Sequence, residues 1–111
     1  MDKEKIEELK ILLKKIPHGK VCSYKEIARA LGNPNAARAV GRMLNKVAKL
    51  GLPCHRVVHC DGSIGGYAFG RDEKIRKLKA DGIRVKNGKI DRAYFHYFKN
   101  NNLIPSYKDS E

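Results

Sequence analysis

Ser23-Tyr24-Lys25-Glu26-Ile27-Ala28-Arg29-Ala30-Leu31-Gly32-Asn33-Pro34-Asn35-Ala36-Ala37-Arg38-Ala39-Val40-Gly41 reads as two short helices joined by a tight turn, and that reading decides the fold. Ser23 to Glu26 has the form of a capping box, in which the Ser23 hydroxyl accepts from the Glu26 backbone N–H and the Glu26 carboxylate reaches back. The helix that follows carries Ile27, Ala28 and Leu31 on one face. Gly32-Asn33-Pro34 stops it, because glycine suits the end of a helix and the proline-bearing turn cannot continue one. A second helix is expected from near Asn35 through Leu44, which makes the pair a candidate helix-turn-helix. Around Arg38 this second helix is rich in small residues: Ala36, Ala37, Ala39 and Gly41. Small side chains let a backbone approach another surface while one long cation projects from it. Tight helix–helix packing uses the same residues, so the pattern alone does not choose.

Upstream, Ile6, Leu9, Leu13 and Ile16 recur at helical spacing, predicting an amphipathic helix over 3–16 that ends at Pro17-His18-Gly19. Downstream comes Leu52-Pro53-Cys54-His55-Arg56-Val57-Val58, then a glycine-rich stretch from Asp61 to Gly70. Asp72 is expected to cap a short helix with Ile75 and Leu78 inward, closed by Gly82. Val85-Lys86-Asn87-Gly88-Lys89-Ile90 predicts a hairpin on a two-residue Asn-Gly turn. Beyond Tyr94 the chain turns aromatic and then polar, and 101–111 is expected to be a frayed tail. Residues 1–111 thus read as a single domain with a core over about 7–92. Its expected fold class is mainly α with a short β-hairpin, a winged-helix-like helix-turn-helix domain.

Lys and Arg number 24 against 12 Asp and Glu, a net charge of +12. A field of that sign favours polyanions, although a Lys-rich surface of the thermophile type has the same composition. No apolar run reaches membrane-spanning length, and Asp2, Lys3, Glu4 and Lys5 open the chain where a signal peptide would not, so an intracellular, cytoplasmic protein is expected. The cysteines are three, Cys22, Cys54 and Cys60, with no C-x-x-C spacing, which suggests neither a disulfide framework nor structural zinc. Cys22 and Cys60 are expected to be buried. His18, His59 and His96 fit no metal-ligand spacing and read as surface or packing residues.

A thiol attacks as thiolate and needs a base or positive surroundings. Cys54 has His55 and Arg56 beside it, but neighbours in sequence often point apart. A papain-like hydrolase needs a larger fold than 111 residues offer.

Taken in order, Ile16-Pro17 with Val21, Ser23-Tyr24-Lys25-Glu26-Ile27-Ala28, Asn33-Pro34 with Ala36-Ala37-Arg38-Ala39-Val40-Gly41, Pro53-Cys54-His55-Arg56-Val57-Val58 and Gly65-Gly66-Tyr67 form one pattern. Over roughly residues 7–85 the chain resembles the C-terminal domain of the methylated-DNA–protein-cysteine methyltransferases, the O6-alkylguanine-DNA alkyltransferases. The resemblance implies a monomer that docks its helix-turn-helix in the minor groove of double-stranded DNA and rotates an O6-alkylguanine out of the stack. Ala36, Ala37 and Gly41 would permit close approach, and Arg38 would fill the vacated place. Tyr24 would crowd the neighbouring phosphate and supply a proton to the departing guanine. Cys54 would take the alkyl group by direct displacement, with His55 drawing off the thiol proton through a water and Asp81 holding the imidazole. The thioether product implies a single turnover and no cofactor or metal. The carbonyls of Cys54 and Val57 would accept from the guanine amino group, Tyr67 would line the pocket, and the Ala68 N–H would face O6.

Four positions depart from the family pattern. Asp81-Gly82 stands where a glutamate usually precedes the glycine, and Ala68 where a small hydroxyl residue follows the loop tyrosine. Phe69 replaces a common glycine and is expected to narrow the pocket. Val47-Ala48 replaces an Asn-Pro pair, with Asn45 nearby but out of step. The N-terminal domain of most full-length members is not expected within these residues. The last two features are shared with alkyltransferase-like proteins, which bind alkylated DNA without transfer, so that reading stands as the alternative. A helix-turn-helix regulator in which Cys54 is incidental is a third.

Overall fold

A computed structural model describes residues 3–98; the expected tail at 101–111 lies outside them. The helices are α1 (Lys3–Lys15), α2 (Tyr24–Ala30), α3 (Ala37–Val47) and α4 (Arg71–Ala80). Two short strand pairs join them: β1 (Cys22–Ser23) runs parallel to β2 (Val57–Val58), and β3 (Val85–Lys86) runs antiparallel to β4 (Lys89–Ile90). The mainly helical fold with a small hairpin is the expected class.

Helix α1 buries Leu9, Leu12 and Leu13, while Glu4 in its first turn and Lys14 and Lys15 in its last complement the helix dipole. At α2 the capping box is half formed. Ser23 Oγ accepts from the Glu26 N–H at 2.9 Å, but the Glu26 carboxylate turns away to Arg29 Nε at 2.9 Å and the Phe98 N–H at 2.8 Å. The Phe98 N–H is buried and needs an acceptor, which local sequence could not reveal. Helix α3 begins two residues later than expected, because the Asn33 side-chain and backbone oxygens hold Asn35 and Ala36 in the turn. It then runs past Leu44 to Val47 and tightens into a 3-10 turn, with Val47 and Ala48 buried in the core. Asp72 does not cap α4. Gly70 holds the cap position with no side-chain bond, and Asp72 lies in the first turn, where its charge suits the dipole.

The hairpin turns on Asn87 and Gly88, both at positive φ (54° and 73°), as a two-residue primed turn demands. It is pinned to the preceding loop by Ile90 N–H donating to Gly62 O at 2.9 Å. Gly62 has φ +93°, and a Cβ there would sit 2.5 Å from Ile90 O, so only glycine fits.

Two apolar clusters meet at the β1–β2 ladder. Cys22 pairs with Val57, and both face the cluster built by α1, α2 and α3; their neighbours Val21 and Val58 face the cluster beneath α4 and the hairpin. This is the period-two alternation of a strand used as a seam between two cores. Fully burying a residue such as Val57 contributes about 1.5–3 kcal/mol, so the register is firmly held. That register carries Tyr24, two residues after Cys22, and Cys54, three before Val57, to one end of the molecule. Among the described residues no helix is long and apolar enough to cross a membrane.

Candidate functional site

At that end lies a cleft of about 840 Å³. Tyr24 comes from α2, and Ala37, Arg38, Gly41, Arg42, Leu44 and Asn45 come from α3; opposite them stand Ala48, Cys54, His59, Gly66, Tyr67 and Ala68. Helix α3 turns Arg38 into this space, and nothing lies within 4 Å of a Cβ built on Gly41. Gly41 is therefore not small to admit a neighbouring helix of this chain. Open space for another surface is the reading that survives.

Cys54 is the buried thiol of the cleft, 4% exposed, in a 3-10 turn over Cys54–Arg56. Its Sγ points at Leu44 O, 3.8 Å away. Burial pushes the thiol up to about 11, against smaller opposing effects from its own backbone and from Lys74. At neutral pH it rests as S–H and must lose its proton to react. The next residue, His55, donates from Nε2 to Asp81 Oδ2 at 2.7 Å. Burial lowers the His55 pKa more than Asp81 raises it, so the imidazole is neutral and its other nitrogen, Nδ1, is the basic one. Burial also pushes Asp81 upward, but hydrogen bonds from Arg56 and His55 outweigh this and hold the carboxyl below its ordinary value. Arg56 Nε donates to the same Oδ2 at 2.9 Å, and His18 Nε2 stands 3.3 Å from Oδ1. The shorter aspartate therefore reaches the histidine.

Lys74 was not anticipated. It is 1% exposed on the inner face of α4, and its ammonium donates to Val57 O at 2.6 Å, Ile64 O at 2.6 Å and Gly66 O at 2.9 Å. Three N–H donors meet three carbonyls, tying β2 to the loop that lines the cleft. Tyr24 OH lies 3.4 Å from the same nitrogen. Burial lowers its pKa to about 8, with Cys54 acting in the opposite direction. The signal available in sequence was position: Lys74 lies four residues before inward-facing Leu78, on the stripe where an apolar residue belongs.

Of the anticipated residues, Tyr24, Ala37, Arg38, Gly41, Cys54, Tyr67 and Ala68 gather in the cleft, while His55 and Asp81 pair with each other outside its lining. Ala36 packs against the core instead. Val57 is fully buried and does not line the cleft, because its side chain belongs to the seam and its carbonyl is taken by Lys74. Phe69, expected to narrow the pocket, is 51% exposed and lies edge-on to Tyr67, 5.4 Å between centroids. Asn45 lines the cleft although it is out of step with the family's Asn-Pro pair, because α3 continues helically past Leu44. Cys60, expected to be buried, is exposed, since it sits at the corner of the turn from His59 to Gly62.

Exposure and pKa together order the thiols. A small alkylating reagent such as iodoacetamide at about pH 8 should modify one cysteine rapidly, Cys60, and leave Cys54 and Cys22 unreacted in the folded chain. Peptide mass mapping checks this, and preferential labelling of Cys54 would mean that its thiolate forms more readily than its burial allows.

Residues 7–83 match the family model of the 6-O-methylguanine DNA methyltransferase DNA-binding domain. A bifunctional methyltransferase/endonuclease of Picrophilus torridus is 46% identical over 97 residues, covering 86% of this chain and 32% of that protein. A methylated-DNA–protein-cysteine methyltransferase of Methanosarcina acetivorans is 47% identical over 72 residues, covering 63% of this chain and 46% of the relative. This chain thus spans about a third to a half of these relatives' length. Among solved structures, S. pombe Atl1 in complex with damaged DNA containing O6-carboxymethylguanine superposes with a TM-score of 0.78 at 26% identity, over 86% of this chain and 97% of that one. The sequence motifs, the helix-turn-helix beside a cysteine cleft and the family match agree: this chain belongs to the DNA alkyltransferase family and carries its DNA-binding domain.

Proposed function

We propose that the cleft receives an O6-alkylguanine rotated out of duplex DNA and that Cys54 takes its alkyl group in a single turnover. The observation that carries this reading is the buried Cys54 thiol lining the cleft, followed in the chain by a neutral, aspartate-held histidine. Arg38 fills the place of the extruded base, and the small residues Ala37 and Gly41 let the backbone approach the groove. Extrusion costs a few kcal/mol, less for a damaged base, and the inserted side chain offsets part of it. The thiol proton passes through a water to His55. A sulfur lone pair then forms the C–S bond as the C–O6 bond breaks, and Tyr24 returns a proton to the guanine as it leaves. Burial raises the Tyr24 pKa, so the phenol rests protonated and holds a proton to give, with the Lys74 ammonium 3.4 Å from its oxygen. The thioether resists hydrolysis, which makes the protein its own consumed reagent.

The test is incubation with duplex DNA bearing radiolabelled O6-methylguanine. One equivalent of label bound covalently to protein supports transfer. Tight lesion binding without label supports the second reading, an alkyltransferase-like binder, which the superposition on S. pombe Atl1 over nearly that whole chain favours.

Two further outcomes are expected. His55 must be neutral to accept a proton, and its pKa lies below the ordinary 6.5, so the transfer rate should fall only below that pH. Because the thiol itself ionises near 11, single-turnover rates should show no thiolate step through the neutral range. An acid limb centred above 6.5 counts against His55 as the base. Separately, Gly41→Leu should fold normally, since a Cβ there has nothing within 4 Å and the position lines the open cleft, yet weaken DNA binding about tenfold or more in an anisotropy titration.

A further inference from the structure

Arg38, Arg42 and His59 are the groups of the cleft wall that carry or can gain positive charge, and no carboxylate lines it. His59 is exposed, and its backbone is fixed by a turn: its N–H donates to Ser63 O at 2.9 Å and its carbonyl accepts from Gly62 N–H at 2.9 Å. The imidazole lies against the Tyr24 ring, with centroids 5.0 Å apart and planes tilted by 45°. A Cβ placed on Gly65 would come within 2.9 Å of Tyr24 OH and 3.2 Å of His59 Nε2. Both polar tips therefore converge beside Gly65, at φ +76°, where an added side chain would stand in their way.

The other charged or titratable groups around His59 are accounted for. Asp61, on its own turn, accepts from Ser63 N–H at 2.9 Å and Ser63 Oγ at 2.7 Å, and its carboxylate also interacts electrostatically with His59. Lys74 of α4 lies 5.5 Å from the centroid of the Tyr24 ring and is committed to its three carbonyls. Arg38 and Arg42 of α3 line the same cleft. Among the described residues no side chain bonds the His59 ring nitrogens, so they are open to a ligand.

We propose that His59 is a pH-dependent contact to the DNA backbone, donating an imidazolium N–H to a phosphate beside the flipped nucleotide. This rests on the reading of the cleft as a lesion site. Phosphate is the chemistry selected by a cleft lined with cations and lacking carboxylates, and a charge-assisted bond to it forms only when the ring is protonated. A protonated ring is the stronger donor to an anion, so the contact tightens binding on the acid side.

The test is an anisotropy titration of the full chain with an O6-methylguanine duplex and its unmodified counterpart, at about pH 5.5 and about pH 8 over a range of salt. Wild type should gain about fivefold more affinity at acid pH than His59→Ala or His59→Gln, for both duplexes. Its salt slope there should be steeper than theirs by about 0.9, the signature of one phosphate. Arg38→Ala reports on the underlying reading. If Arg38→Ala weakens lesion binding while both His59 variants keep the full acid gain and salt slope, the His59 contact is wrong and the cleft reading stands. If wild type fails to bind duplex, or Arg38→Ala binds the lesion as well as wild type, the cleft reading falls and the phosphate contact with it.

Discussion

Cys54→Ser should bind O6-methylguanine DNA within about threefold of wild type and acquire no label, a loss of transfer of at least about four orders of magnitude. Serine is close in volume to cysteine, so the 3-10 turn and the buried position should hold. The hydroxyl can donate to Leu44 O as the thiol does. What it lacks is nucleophilicity: an alcohol beside a neutral imidazole is a far poorer donor of electrons to an alkyl carbon than a thiolate. The measurement is covalent label per protein at saturating DNA, with binding followed separately on the same preparation. Label persisting in the variant would move the acceptor elsewhere, and exposed Cys60 is the first place to map it.

Lys74→Met should be the most damaging change outside the thiol. Methionine fills the channel but offers no donor, so the carbonyls of Val57, Ile64 and Gly66 are left buried and unpaired. At roughly 1–3 kcal/mol for each lost partner, the total is about 3 kcal/mol or more, against about 5–15 kcal/mol for a whole domain. For a domain of this size that corresponds to a fall in Tm of roughly 15 °C, readable by calorimetry or circular dichroism. Transfer should also slow at temperatures where the variant remains folded, because Tyr24 loses its neighbouring cation and the Gly66-Tyr67 loop loses its tether. A variant with unchanged Tm would mean that water replaces the ammonium, and the lysine would then be no organiser of the loop.

These two residues mark how unevenly the site was written in the sequence. Cys54 stands in Pro53-Cys54-His55-Arg56-Val57, a string specific enough to suggest its chemistry before any fold was known. Lys74 sits among seven charged side chains between Arg71 and Lys79, where one more lysine carries no signal except its place on the inner stripe. His59, which reads as a surface or packing residue, and Asn45, which reads as out of step, both line the cleft, because whether an isolated polar residue faces a cleft depends on the neighbouring elements. Cys60 is exposed against expectation for the same reason, since cysteines are usually buried but a turn corner is not. Asp72 has the residue type of a cap, but the chain enters α4 through Gly70 at φ +96°.

The sequence by itself determined what is encoded over a few residues. The α2–turn–α3 unit, the Asn87-Gly88 hairpin and the ends of α1 follow from helical periodicity, caps and turn chemistry, all of which act between near neighbours. Tertiary structure alone decided the Cys22–Val57 register, the ammonium of Lys74 on three carbonyls, and the meeting of Asp81 with His55 across 26 positions. Strands of two residues are too short to show an alternation, and a hydrogen bond between distant residues leaves no local pattern. They form because burying Val57 and satisfying its carbonyl are worth more together than either segment can gain alone. In that way the parallel seam brings the cysteine predicted by its neighbours to the helix-turn-helix predicted by its caps.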